Sequence, residues 1–283
     1  MRYLITGAAG MLGLDLQDAL AGRDVTALGR ADLDVTDLDA VRSAVTGHDV
    51  VINAAAYTKV DDAESDEEAA YAVNATGAAN LAMAAAEQGA RLVQVSTDYV
   101  FDGSAASPYA EGEPHDPISA YGRTKAAGER LALEANPDGT YIVRTAWLYG
   151  AGGPNFAKTM LAIAAGRDTW SVVDDQVGQP TWTGDLARQI VLLLDSDAPA
   201  GIYHGTNSGS ASWFDFAQAV LEESGLDPQR ITPTDSSQFV RPAPRPGYSV
   251  LGHDGWARVG ISPMRDWREA LHGAVESGAL SSS

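Results

Sequence analysis

Tyr121 and Lys125 stand four residues apart in Tyr-Gly-Arg-Thr-Lys, a spacing that puts both on one face of a helix. A phenol beside an ammonium is a usable proton donor near neutral pH, because the cation favours the phenolate. Near the start of the chain, Gly7-Ala-Ala-Gly10-Met11-Leu12-Gly13 forms a second constellation. It follows a β-type run and opens a helical one, the context in which glycines let a dinucleotide pyrophosphate approach the backbone and face a helix N-terminus. Together the two motifs predict hydride chemistry. The bland alternatives are a surface helix that happens to carry Tyr and Lys, and a tight strand-to-helix turn with no ligand.

The elements around these motifs must position them. β-type runs occur at Arg2 to Thr6, Val25 to Leu28, Val50 to Asn53, Arg91 to Ser96 and Tyr141 to Thr145. Helical stretches alternate with them at Met11 to Ala21, Leu38 to Val45, Glu67 to Gln88 and Ala120 to Glu134. Such alternation predicts an α/β fold, a Rossmann-type doubly wound parallel sheet. Beyond Gly150 the pattern loosens into helices at Asn155 to Ala165, Thr183 to Asp195 and Trp213 to Ser224, with proline-rich connections. We expect a dinucleotide-binding domain over 1–150, a smaller substrate-binding lobe over 151–283, and a segment near 183–207 that packs back on the sheet. Val240 to Gly247, with Pro242, Pro244 and Pro246 framed by Arg241 and Arg245, predicts a structured loop. Disorder is expected only at Ser281 to Ser283.

The ends of the strands carry further candidates, since open α/β sheets bind ligands at their carboxyl edge. Arg30 follows the second strand, where it can pair with the 2′-phosphate of NADP; Asp32 and Asp34 nearby leave NADH open. After the third strand, the small side chains of Asn53-Ala-Ala-Ala56-Tyr57 allow close approach of a planar cofactor. Thr97 follows the next strand, where its hydroxyl can hold a carbonyl oxygen against Tyr121, or merely cap a turn.

A formal net charge of −19 argues against a nucleic-acid partner, which would need clustered Lys and Arg. An anionic nucleotide ligand must then meet a local positive field, for which Arg30, Lys125, Lys158, Arg241 and Arg245 are candidates. No cysteine is present, so disulfides and thiolate chemistry are excluded. No apolar run is long enough to span a bilayer, and the first strand leads straight into the glycine loop, so a cytoplasmic protein without membrane association is expected.

The motifs together resemble the extended short-chain dehydrogenase/reductases, and within them the dTDP-4-dehydrorhamnose reductase family. The blocks are the loop at Gly7, Gly10 and Gly13; NAAAYTKVDDAE from Asn53; STDYVFDG from Ser96; YGRTK from Tyr121; RTAWLYG from Arg144; NFAKTM from Asn155; DDQVGQPT from Asp174; and RPGYSVL from Arg245. They run in order over nearly the whole chain. The resemblance implies a catalytic set of Thr97, Tyr121 and Lys125, and substrate contacts from Thr97, Asp98, Trp147 and Arg245. Gly10, Met11 and Leu12 would hold the cofactor phosphates, Asp34 and Val35 its adenine, and Ala56, Tyr57 and Thr58 the span toward nicotinamide. The implied reaction is NAD(P)H-dependent reduction of the C4 ketone of a dTDP-4-keto-6-deoxysugar, foremost dTDP-4-dehydro-L-rhamnose to dTDP-L-rhamnose, with NADPH favoured.

Several departures bear on the details. A basic residue is frequent in the family at the place of Asp62, and an Asn at that of Tyr248, in a loop expected to face substrate. Some relatives dimerise through a magnesium site made by glutamates; Asp15 stands at one such place and Gly184 at another, so no bound metal is expected, and monomer and homodimer both stay open. A 4,6-dehydratase would need an acid pair after the Thr, where this chain has Asp98 and Tyr99. The alternatives are a reductase for a related nucleotide 4-ketosugar in natural-product glycosylation, and a non-catalytic regulatory subunit resembling the methionine adenosyltransferase β subunit.

Overall fold

The computed structural model describes residues 1–281. Six parallel strands form the central sheet: β1 (Arg2–Thr6), β2 (Asp24–Leu28), β3 (Val50–Asn53), β4 (Arg91–Thr97), β5 (Thr140–Thr145) and β6 (Gly201–His204), in the spatial order β2-β1-β3-β4-β5-β6. The order reverses direction between β1 and β3, so a crevice opens there at the carboxyl edge. The glycine loop leaves β1 at that crevice, and Ala54 to Thr58 leave β3.

Strand residues are nearly all buried in β1, β3 and β5 because helices cover both faces of the sheet. Successive side chains alternate between two cores. Tyr3, Ile5, Val50, Ile52, Val93, Tyr141 and Val143 pack against helices Met11–Ala19 and Thr183–Asp195. Their neighbours Leu4, Val51, Leu92 and Ile142 pack against Leu38–Val45, Gly77–Gln88 and Ala120–Ala135. A third nucleus lies among later segments, where Phe216 and Val220 meet Met160, Val172, Ile231, Trp267 and Leu271. This nucleus is built from helices Phe156–Gly166, Trp213–Glu223 and Trp267–Glu276, with the parallel pair Trp170–Val173 and Ile231–Thr234.

Several elements differ from the pattern expected of the sequence, among them the pair Trp170–Val173 and Ile231–Thr234 and the helix Trp267–Glu276, and two concern the central sheet and its covering helices. The helix expected over Glu67 to Gln88 is interrupted: Glu67–Tyr71 and Gly77–Gln88 are α-helical, but Ala72–Thr76 between them is a π-turn. Alanine-rich sequence has no local signal for the extra residue, and π-turns frequently mark functional positions. The edge strand β6 was not foreseen, because Gly201-Ile-Tyr-His is a short run that pairs on one side only, along β5. As to the expected terminal disorder, residues 282 and 283 lie outside the described residues, whereas Ser281 N donates to Gly278 O. Among the described residues no helix is long and apolar enough to cross a membrane.

Candidate active site

Gly7 adopts φ +69°, a conformation L side chains rarely take, and a Cβ there would sit 2.5 Å from Ala55 N. The loops that leave β1 and β3 therefore touch backbone to backbone. Gly10 caps helix Met11–Ala19 without a side-chain hydrogen bond, which leaves the first-turn N–H groups directed at the crevice. Gln17, from the next turn, braces the loop by donating to Ala8 O at 2.9 Å and Gly13 O at 3.0 Å. Arg30 is exposed at the end of β2 and, among the described residues, makes no ion pair. The two nearby acids are engaged locally, Asp32 by Gly29 N and Asp34 by the Thr36 backbone N–H and hydroxyl, which hold the Asp34 carboxyl below its usual range. Val35 is buried, and Asn80 fixes its carbonyl at 3.0 Å. Ala56 and Tyr57 are half-buried, Thr58 exposed.

The catalytic candidates come from two elements. Helix Ala120–Ala135 begins at Ser119, whose hydroxyl accepts from Gly122 N, while Glu64 accepts from Ala120 N at 2.7 Å. Tyr121, Lys125 and Glu129 follow one another at successive turns on the face toward β4. Lys125 is 4% exposed and donates from Nζ to Val95 O at 2.7 Å. That bond uses one of its three donors and leaves two for ligand. Burial pushes the ammonium down to about 8, against the opposing field of Glu129.

Thr97 ends β4 beside Tyr121, and Asp98 opens the 3-10 turn that follows. The Thr97 hydroxyl donates to Asp98 Oδ1 at 2.9 Å and accepts from Tyr99 N at 3.2 Å. Asp98 is 2% exposed, and its Oδ2 is buried with no hydrogen-bond partner among the described residues. Burial pushes its carboxyl up to about 6, with the Ser249 and Thr97 hydroxyls drawing it back. Tyr121 titrates well above its ordinary range, first through burial and then through the charge of Asp98, while the Thr97 hydroxyl opposes both. Lys125 is not what sets the phenol here, because its ammonium is turned to the Val95 carbonyl. The phenol stays protonated, ready to donate.

In front of these groups lies a cleft of about 790 Å³ whose walls include Tyr99, Trp147, Phe156, Met160, Trp213 and Arg245. Tyr99 lines the cleft and meets the Tyr121 ring edge to face, with centroids 5.6 Å apart. Trp147 follows β5 with φ +47°, a strained conformation for a bulky residue. Its indole stacks on that of Trp213 at 3.5 Å, with the planes 6° apart. One face of Trp147 is thus taken by Trp213, so a ligand meets the pair as a single aromatic wall. Arg245 binds Asp61 across the cleft mouth. Tyr248, expected to face substrate, packs instead against the cluster of Val100, Phe101, Tyr109 and Leu251.

Helpers escaped the sequence. Asn74, in the π-turn, accepts from Tyr57 N at 2.8 Å and donates to Tyr57 O and the Thr124 hydroxyl. Asn80, Gln17, Asp61 and Trp213 likewise carried no local signal. Only the four-residue step from Lys125 to Glu129 was open to periodicity.

The sequence and the fold are shared with known proteins. A family model described as the RmlD substrate binding domain matches residues 1–279. This chain belongs to the RmlD family. Its members include a dTDP-4-dehydrorhamnose reductase of Streptomyces griseus, 54% identical to this chain over 95% of it and 91% of the relative. A dTDP-4-keto-6-deoxy-D-glucose reductase of Streptomyces niveus is 49% identical over 95% of each chain. The solved structure of a dTDP-4-dehydrorhamnose reductase of Bacillus anthracis in complex with NADP superposes with a TM-score of 0.94 at 39% identity, covering 98% of this chain and 99% of that one. Membership in the RmlD family accounts for motifs spread over the whole length.

Proposed function

We propose that this chain is an NADPH-dependent ketoreductase that converts the C4 ketone of a dTDP-4-keto-6-deoxysugar to an alcohol, with dTDP-4-dehydro-L-rhamnose as substrate. The observation that carries this reading is the meeting of Thr97, Asp98, Tyr121 and Lys125 at the carboxyl end of β4, behind an aromatic cleft, in a chain 54% identical to a reductase of that name.

The cofactor side fits a dinucleotide. The close approach at Gly7 and the uncapped helix start suit a pyrophosphate, and free Arg30 suits the 2′-phosphate of NADP. Bound there, NADPH supplies a hydride to the carbonyl carbon. Lys125 directs its two remaining donors at the ribose hydroxyls and faces the tyrosinate that proton transfer creates. Tyr121 donates its phenolic proton to the carbonyl oxygen, which becomes the hydroxyl. Thr97 hydrogen-bonds the same oxygen, a contact that strengthens as negative charge grows there. The unpartnered Asp98 Oδ2 accepts from a sugar hydroxyl, and Arg245 faces the diphosphate. Trp147 and Trp213 form the wall for an apolar ring face.

The test supplies purified protein with NADPH and dTDP-4-dehydro-L-rhamnose and follows absorbance of the reduced nicotinamide. Consumption of NADPH with formation of the 4-hydroxy sugar supports the reading; its absence defeats it. For the cofactor, Arg30→Ala should weaken NADPH more than NADH, and equal loss removes the basis for preferring NADPH. A related 4-ketosugar as substrate gains support from the Streptomyces niveus relative, whose name specifies a different sugar. A panel of nucleotide 4-ketosugars separates the two.

A further inference from the structure

Glu129 has no part in the mechanism above, yet it is among the most heavily bonded side chains of the chain. Its carboxylate is fully enclosed, on the same helix face as Tyr121 and Lys125. It accepts from Arg144 Nε at 3.0 Å and Nη2 at 2.7 Å, and from the Ser96 hydroxyl, and it pairs with His115 Nε2 at 2.9 Å. Arg144 is equally buried, with its remaining nitrogen on Glu111 O and its guanidinium over the Phe101 ring at 5.0 Å. A buried ion pair of this kind is weak evidence for stability, since an apolar pair of similar volume often serves as well. Its position asks for another account.

We propose, resting on the ketoreductase reading, that Glu129 is a positioning residue for Lys125: its buried carboxylate, clamped from β5 by Arg144 and from β4 by Ser96, supplies the counter-field that keeps the Lys125 ammonium charged on the Val95 carbonyl. Among the described residues Lys125 has no carboxylate within ion-pairing distance, so a field one helical turn away is its source of compensation. The charged and titratable groups facing it are few. Tyr121 and Glu129 share its helix; β4 brings Ser96 and Thr97, and the turn after it Asp98, on the Tyr121 side; β5 brings Arg144, which lies beyond Glu129; and the loop before the helix brings His115. Burial alone pushes Glu129 up, but His115 and Arg144 outweigh it and hold the carboxyl at about 2, so the negative charge persists at every working pH. Without that charge, burial acts on Lys125 unopposed.

The chain has only three lysines, which makes a direct measurement simple. Protein labelled with 13C at lysine Cε gives three signals, assigned with Lys59→Arg and Lys158→Arg, and each is titrated by NMR in the ligand-free state. In Glu129→Gln the midpoint of Lys125 should fall by about one unit, while Lys59 and Lys158 stay put. Glu129→Asp, which keeps the charge, should recover at least half of the shift. Because Glu129→Gln leaves Arg144 buried and unpaired, it can fail to fold; Glu129→Gln with Arg144→Met removes both charges and should fold with the Lys125 midpoint still lowered. An unchanged Lys125 midpoint in either folded variant overturns the proposal. In turnover, the alkaline loss of kcat should move to lower pH by the same amount, with the KM for the sugar little changed. A protein that proves inactive on every ketosugar refutes the ketoreductase reading, while the NMR titration still decides the role of Glu129.

Discussion

Asp61 and Arg245, 184 residues apart in the chain, meet at 2.9 Å across the mouth of the cleft. Asp61 also accepts from Ala243 N at 3.3 Å, so a single carboxylate tethers the proline-rich loop to the cofactor side. On the proposed function, an entering diphosphate would share Arg245 with Asp61 or take it from that pair. Both partners are partly exposed, so the pair itself adds about 0–1 kcal/mol of stability.

From this contact we expect Arg245→Ala to raise the KM for the nucleotide sugar by about tenfold or more, the usual worth of a charge-assisted hydrogen bond, with little change for NADPH. Asp61→Asn should lower the KM for the sugar and leave the melting temperature nearly unchanged. Steady-state kinetics with each substrate varied in turn decide the matter. If Arg245→Ala affects both substrates alike, Arg245 does not address the diphosphate.

Tyr121→Phe should lower kcat by about 10²- to 10⁴-fold, the range for loss of a positioned general acid. NADPH should still bind with near-native affinity, as fluorescence titration can show. Retention of more than a tenth of kcat would move the proton source to another group.

Stability should respond to acid through two opposed groups. Burial, and then the charge of Arg144, push His204 down to about 3, so the fold holds it neutral. Its contribution is complete above the unfolded histidine value of about 6.5 and fades as pH falls toward 3, at up to about 1.4 kcal/mol per pH unit. Asp98 acts the other way: its carboxyl is raised to about 6, so its burden is present above pH 6 and is relieved between about 6 and 4. Melting curves between pH 7 and pH 4 should therefore drop less in His204→Gln and more steeply in Asp98→Asn. Parallel curves for all three proteins would show that neither group is perturbed as described.

Gly178→Ala tests the tryptophan wall. The added Cβ would lie 2.6 Å from Trp147 Cε2 and must displace the ring from Trp213. Overpacking of this sort destabilises by about 1–3 kcal/mol. The KM for the sugar should rise severalfold with that for NADPH constant, as expected for loss of about 0.5–1.5 kcal/mol of aromatic contact. An unchanged sugar KM in a folded variant would take the indole pair out of the binding site.

The parts legible in the sequence are those fixed by local physics. β1 and β3 have the expected bounds because a buried parallel strand is a continuous apolar run stopped by turn residues. Tyr121 and Lys125 share a face because helical periodicity requires it. What stayed hidden depends on residues far apart in the chain: the grip of Arg144 on Glu129, the tether between Asp61 and Arg245, and the indole of Trp213 laid on Trp147. Tyr248 illustrates the converse. Its loop is expected to face substrate, and its ring packs on Val100, Phe101, Tyr109 and Leu251, residues the motif did not point to. The π-turn was hidden for a third reason, since Ala72-Val-Asn-Ala-Thr76 contains no Gly or Pro to mark a break in the helix.

That π-turn has a mechanical meaning. It sets the Asn74 amide between the loop after β3 and the helix that bears the phenol, bonded to Tyr57 on one side and Thr124 on the other. A side chain shared by both makes them one lever. The loop that borders the crevice and the helix that carries Tyr121 are thus bridged through a single buried amide.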